Sequence, residues 1–285
     1  MLNSIKVGGA KFVFKAGVSH RGALVMKPAN GIELSDAVSS NDPKKDKVKV
    51  TEVAATNPNN AAKQTAVLVN EYLARAQKEL EKHEENKKKE KQNQLPANFL
   101  LVRGAGFTPV LEPFEKKHGL KGACVAGAAM YKGLARLAGL EVLEVKGATG
   151  KADTNLTAKA DATASALVNC DFVFLHIKAT DVFGHDGDFV GKKNFIERVD
   201  NVMGKLIALE NTLIVVTADH STPCGLAGHS GDPVPILFYG PGVRRDSTRK
   251  FGERECALGG VGRINGLDVM AEAKNLAGRA VMYGT

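Results

Sequence analysis

The sequence predicts an α/β fold with a mostly parallel sheet and helices on both of its faces. Downstream of residue 98, short apolar runs typical of buried strands alternate with amphipathic segments typical of helices. Clusters of Asp and His directly follow two of the apolar runs. In open α/β sheets, ligands bind beyond the carboxyl ends of the strands, so the placement of these clusters agrees with the fold class.

The strands and helices of this region are predicted in chain order from apolar runs and from apolar spacing of three to four residues. The predicted strands cover residues 99–102, 142–145, 172–177, 213–217 and 236–239. The predicted helices cover residues 121–137, 157–168 and the amphipathic segment 195–209.

The first part of the chain has a different pattern. Residues 1–30 predict a β-hairpin fragment with strands at 11–14 and 23–26, and residues 35–62 are a polar linker or loop. An apolar stripe then predicts a helix, which continues into a charged, solvated stretch at 81–94. The stripe consists of Ala66, Val69, Leu73, Ala76 and Leu80.

Composition narrows the classes of function. The net charge is +8, but the basic residues are dispersed, which favours a soluble basic surface over a nucleic-acid face and suits an anionic substrate. Trp is absent and aromatic residues make up 6%, so stacking platforms for nucleobases are not expected. No apolar run approaches the ~20 residues of a membrane span. We therefore predict neither nucleic-acid binding nor a membrane span.

The four cysteines argue against a thiolate metal site. Cys124, Cys170, Cys224 and Cys256 are far apart and form no C-x-x-C pair, so neither a zinc ribbon nor a redox motif is indicated. Free thiols are the default in a reducing compartment. A cytoplasmic location is expected, with an organelle left open.

The Asp and His clusters are the features that carry chemistry. Asp181 and His185 lie four residues apart on a glycine-containing loop after the strand at 172–177. Asp219 and His220 follow the strand at 213–217, and His229 lies on the next glycine-rich loop. A ligand set of Asp and His without thiolate suits Mn²⁺, Zn²⁺ or a similar ion. Two such ions can clamp a phosphoryl group and lower the pKa of a nucleophile.

Several other residues can be interpreted either as part of the site or as ordinary structural or surface residues. His176 either lines the site or is a hydrogen-bonded residue of the strand. Lys178 lies between a strand end and a ligand, where its ammonium could neutralise a transferring phosphate. Arg21, Arg103 and Arg263 are either surface residues or candidates for binding phosphate or carboxylate, because guanidinium binds both groups through two hydrogen bonds.

The motifs resemble those of the archaeal-type, 2,3-bisphosphoglycerate-independent phosphoglycerate mutases of the alkaline phosphatase superfamily. The two metal motifs are the most specific segments, and almost the whole chain shares the resemblance. The matching segments are HIKATDVFGHDGDF (176–189), TADHSTPCGLAGHSGDPVPILFYGPGVR (217–244), LVRGAGFTPVLEPFEKKHGLKGACVAG (101–127) and EVKGATGKADTN (144–155). Two further segments, GVSHRGALV (17–25) and SDAVSSNDP (35–43), resemble the end of the inserted domain of that family.

The resemblance implies an alkaline-phosphatase-like domain at residues 61–285, with residues 1–60 as the remnant of an inserted α+β substrate-binding domain and its linker. It implies an isomerase of glycolysis and gluconeogenesis that interconverts 3-phosphoglycerate and 2-phosphoglycerate through a phosphoserine. Two divalent ions assist, with Mn²⁺ expected first and Zn²⁺, Co²⁺ or Mg²⁺ as alternatives.

The resemblance also assigns roles to individual residues. One ion would be held by Asp181, His185 and His229, and the other by Asp219 and His220. Lys178 would face the phosphoryl group as a catalytic residue. The substrate-binding residues would be His20 and Arg21.

One departure from the family limits this assignment. Family members begin with an apolar strand that ends in a metal-binding Asp and is followed by the nucleophilic Ser, and residues 1–285 contain neither motif. The second ion site is therefore expected to be incomplete within residues 1–285. Either a companion chain supplies the strand, Asp and Ser, or they belong to a part of the protein that this sequence does not include. Ser221 and Ser230 lie beside ligands, but the resemblance makes neither the nucleophile.

Two alternatives to the mutase stay open. The chain could be a catalytically incomplete paralogue that acts as a structural or interaction subunit. It could also be a metal-dependent phosphatase or phosphonate hydrolase of the same superfamily, which the inserted-domain segments disfavour.

Overall fold

The structure, a computed structural model, describes residues 1–17 and 20–281. Two residues of the segment 17–25 therefore lie outside the described part. The contacts divide the chain into two compact units, Met1–Pro109 and Val110–Thr285. The predicted domain boundary at 60/61 comes from the family resemblance and not from contacts, and it stays a prediction. The division by contacts falls later, because the helix that begins at Asn60 packs within the first unit.

The first unit is an antiparallel sheet with one long helix. Its strands β1 (Lys6–Val7), β2 (Ala10–Ala16) and β3 (Gly22–Pro28) lie in the order β1-β2-β3. The β2–β3 pair agrees with the predicted hairpin, with Phe12 opposite Met26. Helices α1 (Asn60–Lys82) and α2 (Glu84–Lys91) follow.

Helix α1 is held by its cap and by its apolar stripe. The side chain of Asn59 accepts a hydrogen bond from the Ala62 backbone N–H at 2.7 Å, which satisfies one free donor of the first turn. Tyr72 is fully buried and stacks on Phe12 of β2, with ring centroids 4.4 Å apart. The predicted stripe therefore forms the face that packs on the sheet.

The predicted strand at 99–102 is wrong, because residues 99–102 pair with no strand in the described part of the chain. Backbone groups of this segment bond to Ser40 and Asn41 instead, and the Val102 carbonyl accepts from Ser40 Oγ and from the Asn41 backbone N–H. The backbone N–H of Val102 donates to Asn41 Oδ1 at 2.7 Å, and Asn41 Nδ2 donates to the Leu100 carbonyl at 3.4 Å.

The second unit alternates strands and helices, as the sequence predicts. Its strands are β4 (Gly122–Val125), β5 (Glu141–Val142), β6 (Phe172–Leu175), β7 (Ile214–Val216) and β8 (Leu237–Tyr239). Its helices are α3 (Phe114–His118), α4 (Ala129–Leu137), α5 (Leu156–Ala166), α6 (Ala179–His185), α7 (Phe189–Ile207), α8 (Glu253–Cys256) and α9 (Val269–Leu276).

A parallel sheet forms the centre of this unit and confirms the α/β class. Its order is β5-β4-β6, and both neighbours of β4 run parallel to it. All four residues of β4 are buried, as expected of a central strand in a parallel sheet. β7 and β8 form a separate antiparallel pair, which is a departure from the predicted parallel arrangement.

One predicted helix is wrong in its first half. The small residues that dominate 121–137 predict a single helix, but 122–125 form β4 and the helix begins only at Ala129. Small side chains suit a strand that is covered on both faces, so composition alone does not distinguish the two structures. None of the helices in the described ranges is long and apolar enough to cross a membrane.

Candidate metal centre

Helix α6 places the first two candidate ligands. The chain leaves β6 at Leu175, and α6 begins three residues after His176. Asp181 and His185 lie four residues apart in this helix, so both point from the same helical face. The expected glycine-containing loop is thus a helix. Its Gly184 allows close approach, because a Cβ atom there would overlap the Thr222 carbonyl oxygen.

Three donor atoms converge at this face. The Nε2 atoms of His185 and His229 each lie 3.4 Å from Asp181 Oδ1. The two Nε2 atoms lie 3.1 Å from each other. Ligands bound to one Zn²⁺-like ion at about 2.1 Å are roughly 3–3.5 Å apart, so these three side chains fit a divalent cation without rearrangement. In the described residues they form the group whose donors all lie within 4.8 Å of one another.

The other two candidate ligands lie beside this group. Asp219 and His220 follow β7, and His220 Nε2 lies 3.6 Å from Asp219 Oδ2. The same Nε2 lies 4.0 Å from Asp181 Oδ1, and the His220 and His229 ring centroids are 3.8 Å apart. The structure therefore brings all five predicted ligands to one place at the ends of β6 and β7.

Two donors hold the Asp181 carboxylate in its charged form. Lys178 Nζ donates to Oδ2 at 2.5 Å, and Thr222 Oγ1 donates to Oδ1 at 3.0 Å. Burial by itself would raise the pKa of Asp181. The hydrogen bonds from Lys178 and Thr222, together with the charges of Lys178 and His185, outweigh burial and lower the pKa to about 2. An ionised carboxylate is the form that binds a metal ion.

Thr222 contacts two of the candidate ligands, and the sequence analysis did not single it out. It is 4% exposed, and besides its bond to Asp181 its Oγ1 lies 3.1 Å from His220 Nδ1. A single hydroxyl thus contacts one candidate ligand from each of the two predicted ion sites. Thr222 lies two residues after His220 in the segment 217–244, and this position could have identified it as a candidate site residue.

The loops that carry the later ligands are tied to each other. Ser230 N donates to the Ser221 carbonyl at 3.2 Å in an isolated antiparallel bridge. His185 Nδ1 lies 3.3 Å from the carbonyl oxygen of Ala227, which fixes the ring that presents Nε2 to the cluster.

His176 lies outside the donor group and contacts a residue that bonds to Asp219. Its ring stacks on Tyr131 of α4, with centroids 3.4 Å apart, and Tyr131 Oη donates to Asp219 Oδ2 at 3.4 Å. Burial, with a smaller contribution from the Lys159 charge, lowers the pKa of His176 to about 4, so its imidazole is neutral at pH 7. The sequence analysis missed Tyr131, since it placed this residue in the middle of a longer helix.

The predicted anion-binding residues are distributed over both units. His20 and Arg21 are exposed at the turn between β2 and β3. Arg103 also belongs to the first unit, where its Nη1 lies 3.9 Å from Asp42 Oδ2. Arg263 lies between α8 and α9 of the second unit. Their role in binding substrate stays a prediction.

The fold and the donor group define a metal-dependent enzyme class. The model of the metalloenzyme superfamily matches residues 25–273. Curated relatives then identify the family within that class. This chain is 42% identical to a 2,3-bisphosphoglycerate-independent phosphoglycerate mutase of Thermoplasma volcanium, over 99% of the chain and 68% of the relative. It is 41% identical to one of Methanoculleus marisnigri, over 97% of the chain and 66% of the relative.

Solved structures agree with these relatives. The cofactor-independent phosphoglycerate mutase of Thermoplasma acidophilum is 35% identical, with a TM-score of 0.69 over 97% of this chain and 68% of that one. The PH0037 protein of Pyrococcus horikoshii is 42% identical, with a TM-score of 0.75 over 79% of this chain and 60% of that one. The chain belongs to the 2,3-bisphosphoglycerate-independent phosphoglycerate mutase family, which confirms the resemblance. It spans about two thirds of the length of its relatives.

Proposed function

We propose that this chain forms the metal-binding part of a phosphoglycerate mutase, an isomerase that interconverts 3-phosphoglycerate and 2-phosphoglycerate in glycolysis and gluconeogenesis. The observation that carries the proposal is the convergence of Asp181, His185 and His229, with donor atoms 3.1–3.4 Å apart, in a chain of this family. The phosphoryl group passes through a serine that is expected to lie outside residues 1–285.

Within this function, the donor group would hold one divalent ion, and Asp219 and His220 would contribute to a second. A bound ion supplies Lewis-acid stabilisation of the transferring phosphoryl group and lowers the pKa of an attacking hydroxyl. Mn²⁺ is the first choice, because Asp and His ligands without thiolate suit it, and Zn²⁺, Co²⁺ and Mg²⁺ are alternatives.

The residues around the ion sites prepare the site for an anion. The Lys178 ammonium donates a hydrogen bond to Asp181 and would also face the phosphoryl oxygens. The net charge of +8 favours approach of a phosphoglycerate, which carries several negative charges. His20 and Arg21 would bind the substrate. The structure is of one chain, so a companion chain stays a prediction.

The first test asks whether phosphoglycerate binds at a loaded ion site. We expect the chain to bind Mn²⁺, followed by electron paramagnetic resonance, and Mn²⁺ to broaden the ³¹P resonance of added 3-phosphoglycerate. His229→Ala should abolish the broadening, whereas the exposed His83→Ala, in the first unit, should leave it unchanged. Absence of Mn²⁺ binding by the unsubstituted chain would favour the structural or interaction subunit.

A second test concerns the nucleophile. With Mn²⁺ present, formation of 2-phosphoglycerate from 3-phosphoglycerate can be followed through coupling to enolase. We expect the chain alone to bind substrate without turnover, because the phosphoryl-accepting serine is expected elsewhere. Turnover that is lost in Ser221→Ala or Ser230→Ala would instead place the nucleophile in this chain.

A further inference from the structure

We infer that Lys159 is a positioning residue of the metal centre, which it reaches through the main chain at the end of β6. The inference rests on the proposed metal binding. Lys159 belongs to α5 and contacts none of the candidate ligands directly. It is 1% exposed, and it is among the largest fully buried side chains of the described residues.

The contact that carries this inference is a single hydrogen bond. Lys159 Nζ donates to the main-chain carbonyl of His176 at 2.8 Å. The N–H of His176 donates in turn to the Val125 carbonyl of β4 at 2.9 Å. Both main-chain polar groups of His176 are therefore fixed, one by the neighbouring strand and one by the buried ammonium.

The fixed residue stands at the point where the chain turns from strand to helix. Lys178 follows two residues later, and its carbonyl accepts the first hydrogen bond from Asp181 N at 2.9 Å. Ala179, 1% exposed, packs in one cluster with Leu156 of α5 and Phe195 of α7. A change in the direction of the His176 carbonyl would therefore rotate the start of α6 and move Asp181 relative to His229.

The burial of an ammonium is hard to explain by stability alone. A buried charge is costly, and replacing it with an apolar side chain of similar volume is often neutral or stabilising. The surroundings depress the pKa of Lys159 to about 8, chiefly through burial, in keeping with that cost. A requirement for a donor that reaches the His176 carbonyl accounts for a lysine at this position.

The test compares Lys159→Met and Lys159→Arg with the unsubstituted chain. The measurements are Co²⁺ affinity, the visible absorption spectrum of the bound Co²⁺ and the urea unfolding midpoint. We expect Lys159→Met to weaken Co²⁺ binding about tenfold or more and to alter the spectrum, as loss of an outer-shell support does. Lys159→Arg, which keeps a charged donor, should recover part of the affinity.

The control is Lys205→Met, which removes an exposed ammonium that pairs with Asp161 in the unsubstituted chain. This substitution should leave the Co²⁺ affinity and the Co²⁺ absorption spectrum unchanged. If the unsubstituted chain binds Co²⁺ and folded Lys159→Met binds it equally well with the same spectrum, Lys159 has no positioning role. If the unsubstituted chain binds no divalent ion, the proposed function itself fails. If Lys159→Met does not fold, Lys159→Gln replaces it in the test, because the shorter glutamine side chain does not reach the His176 carbonyl. The proposal would be overturned if folded Lys159→Gln bound Co²⁺ with unchanged affinity and spectrum.

Discussion

Replacing Thr222 with valine removes a hydroxyl that contacts both predicted ion sites and keeps the shape of the side chain. The hydroxyl donates to Asp181 Oδ1 at 3.0 Å and lies 3.1 Å from His220 Nδ1. A hydrogen bond to a charged group contributes about 1.5–3 kcal/mol, and each 1.4 kcal/mol is a factor of about ten in affinity. Thr222→Val should therefore weaken divalent-ion binding by about 10- to 100-fold.

Isothermal titration calorimetry with Mn²⁺ measures this loss directly, and urea unfolding reports whether the variant is folded. Thr222→Ser is the matched control, because it keeps the hydroxyl and loses only a methyl group. It should bind Mn²⁺ within a few-fold of the unsubstituted chain. Equal affinity of folded Thr222→Val and the unsubstituted chain would refute the view that this hydroxyl orients the ligands.

Two other expectations follow from close approach and from burial. Gly184→Ala should destabilise the protein and weaken Mn²⁺ binding, because the added Cβ would overlap the Thr222 carbonyl oxygen. Gly204→Ala in α7 is the control, since its Cβ would meet no atom within 4 Å, and it should be neutral or stabilising by up to about 1 kcal/mol. Equal effects of the two substitutions on the free energy of urea unfolding would contradict this expectation. The pKa of Lys159 is about 8 in the folded protein, against the ordinary value of 10.5 in the unfolded chain. Between pH 8 and pH 10.5 the unfolded chain therefore binds more protons than the folded protein. The unfolding free energy, relative to Lys159→Met, should rise by on the order of 1 kcal/mol from pH 7.5 to 9.5, and a flat difference would show that the ammonium is not buried.

The candidate metal ligands could be located in the sequence because they follow apolar runs that are recognisable as strands. Asp181 and Asp219 follow apolar runs that form β6 and β7, and the carboxyl ends of strands in α/β folds gather ligands. The predicted class of fold and the family are confirmed for the same reason, since both depend on these strands and motifs.

The environments of Lys159 and Tyr131 were not predictable from the sequence, because they arise only from tertiary packing. Lys159 carries no local feature that distinguishes it from a surface lysine of an amphipathic helix, yet it is fully buried. Tyr131 meets His176 only because β4 is a strand and α4 begins after it, and the small residues of 122–125 are compatible with either structure. The antiparallel direction of β8 depends on the chain path between the two strands, which no local pattern determines.

Anomalous scattering from a crystal of this chain grown with Mn²⁺ tests the central claim most directly. The claim predicts a strong peak within bonding distance, on the order of 2 Å, of Asp181 Oδ1, His185 Nε2 and His229 Nε2. The Asp219–His220 pair should give a weaker peak. No peak within bonding distance of the three ligands, or a stronger peak elsewhere, would contradict the assignment of this group as the metal centre.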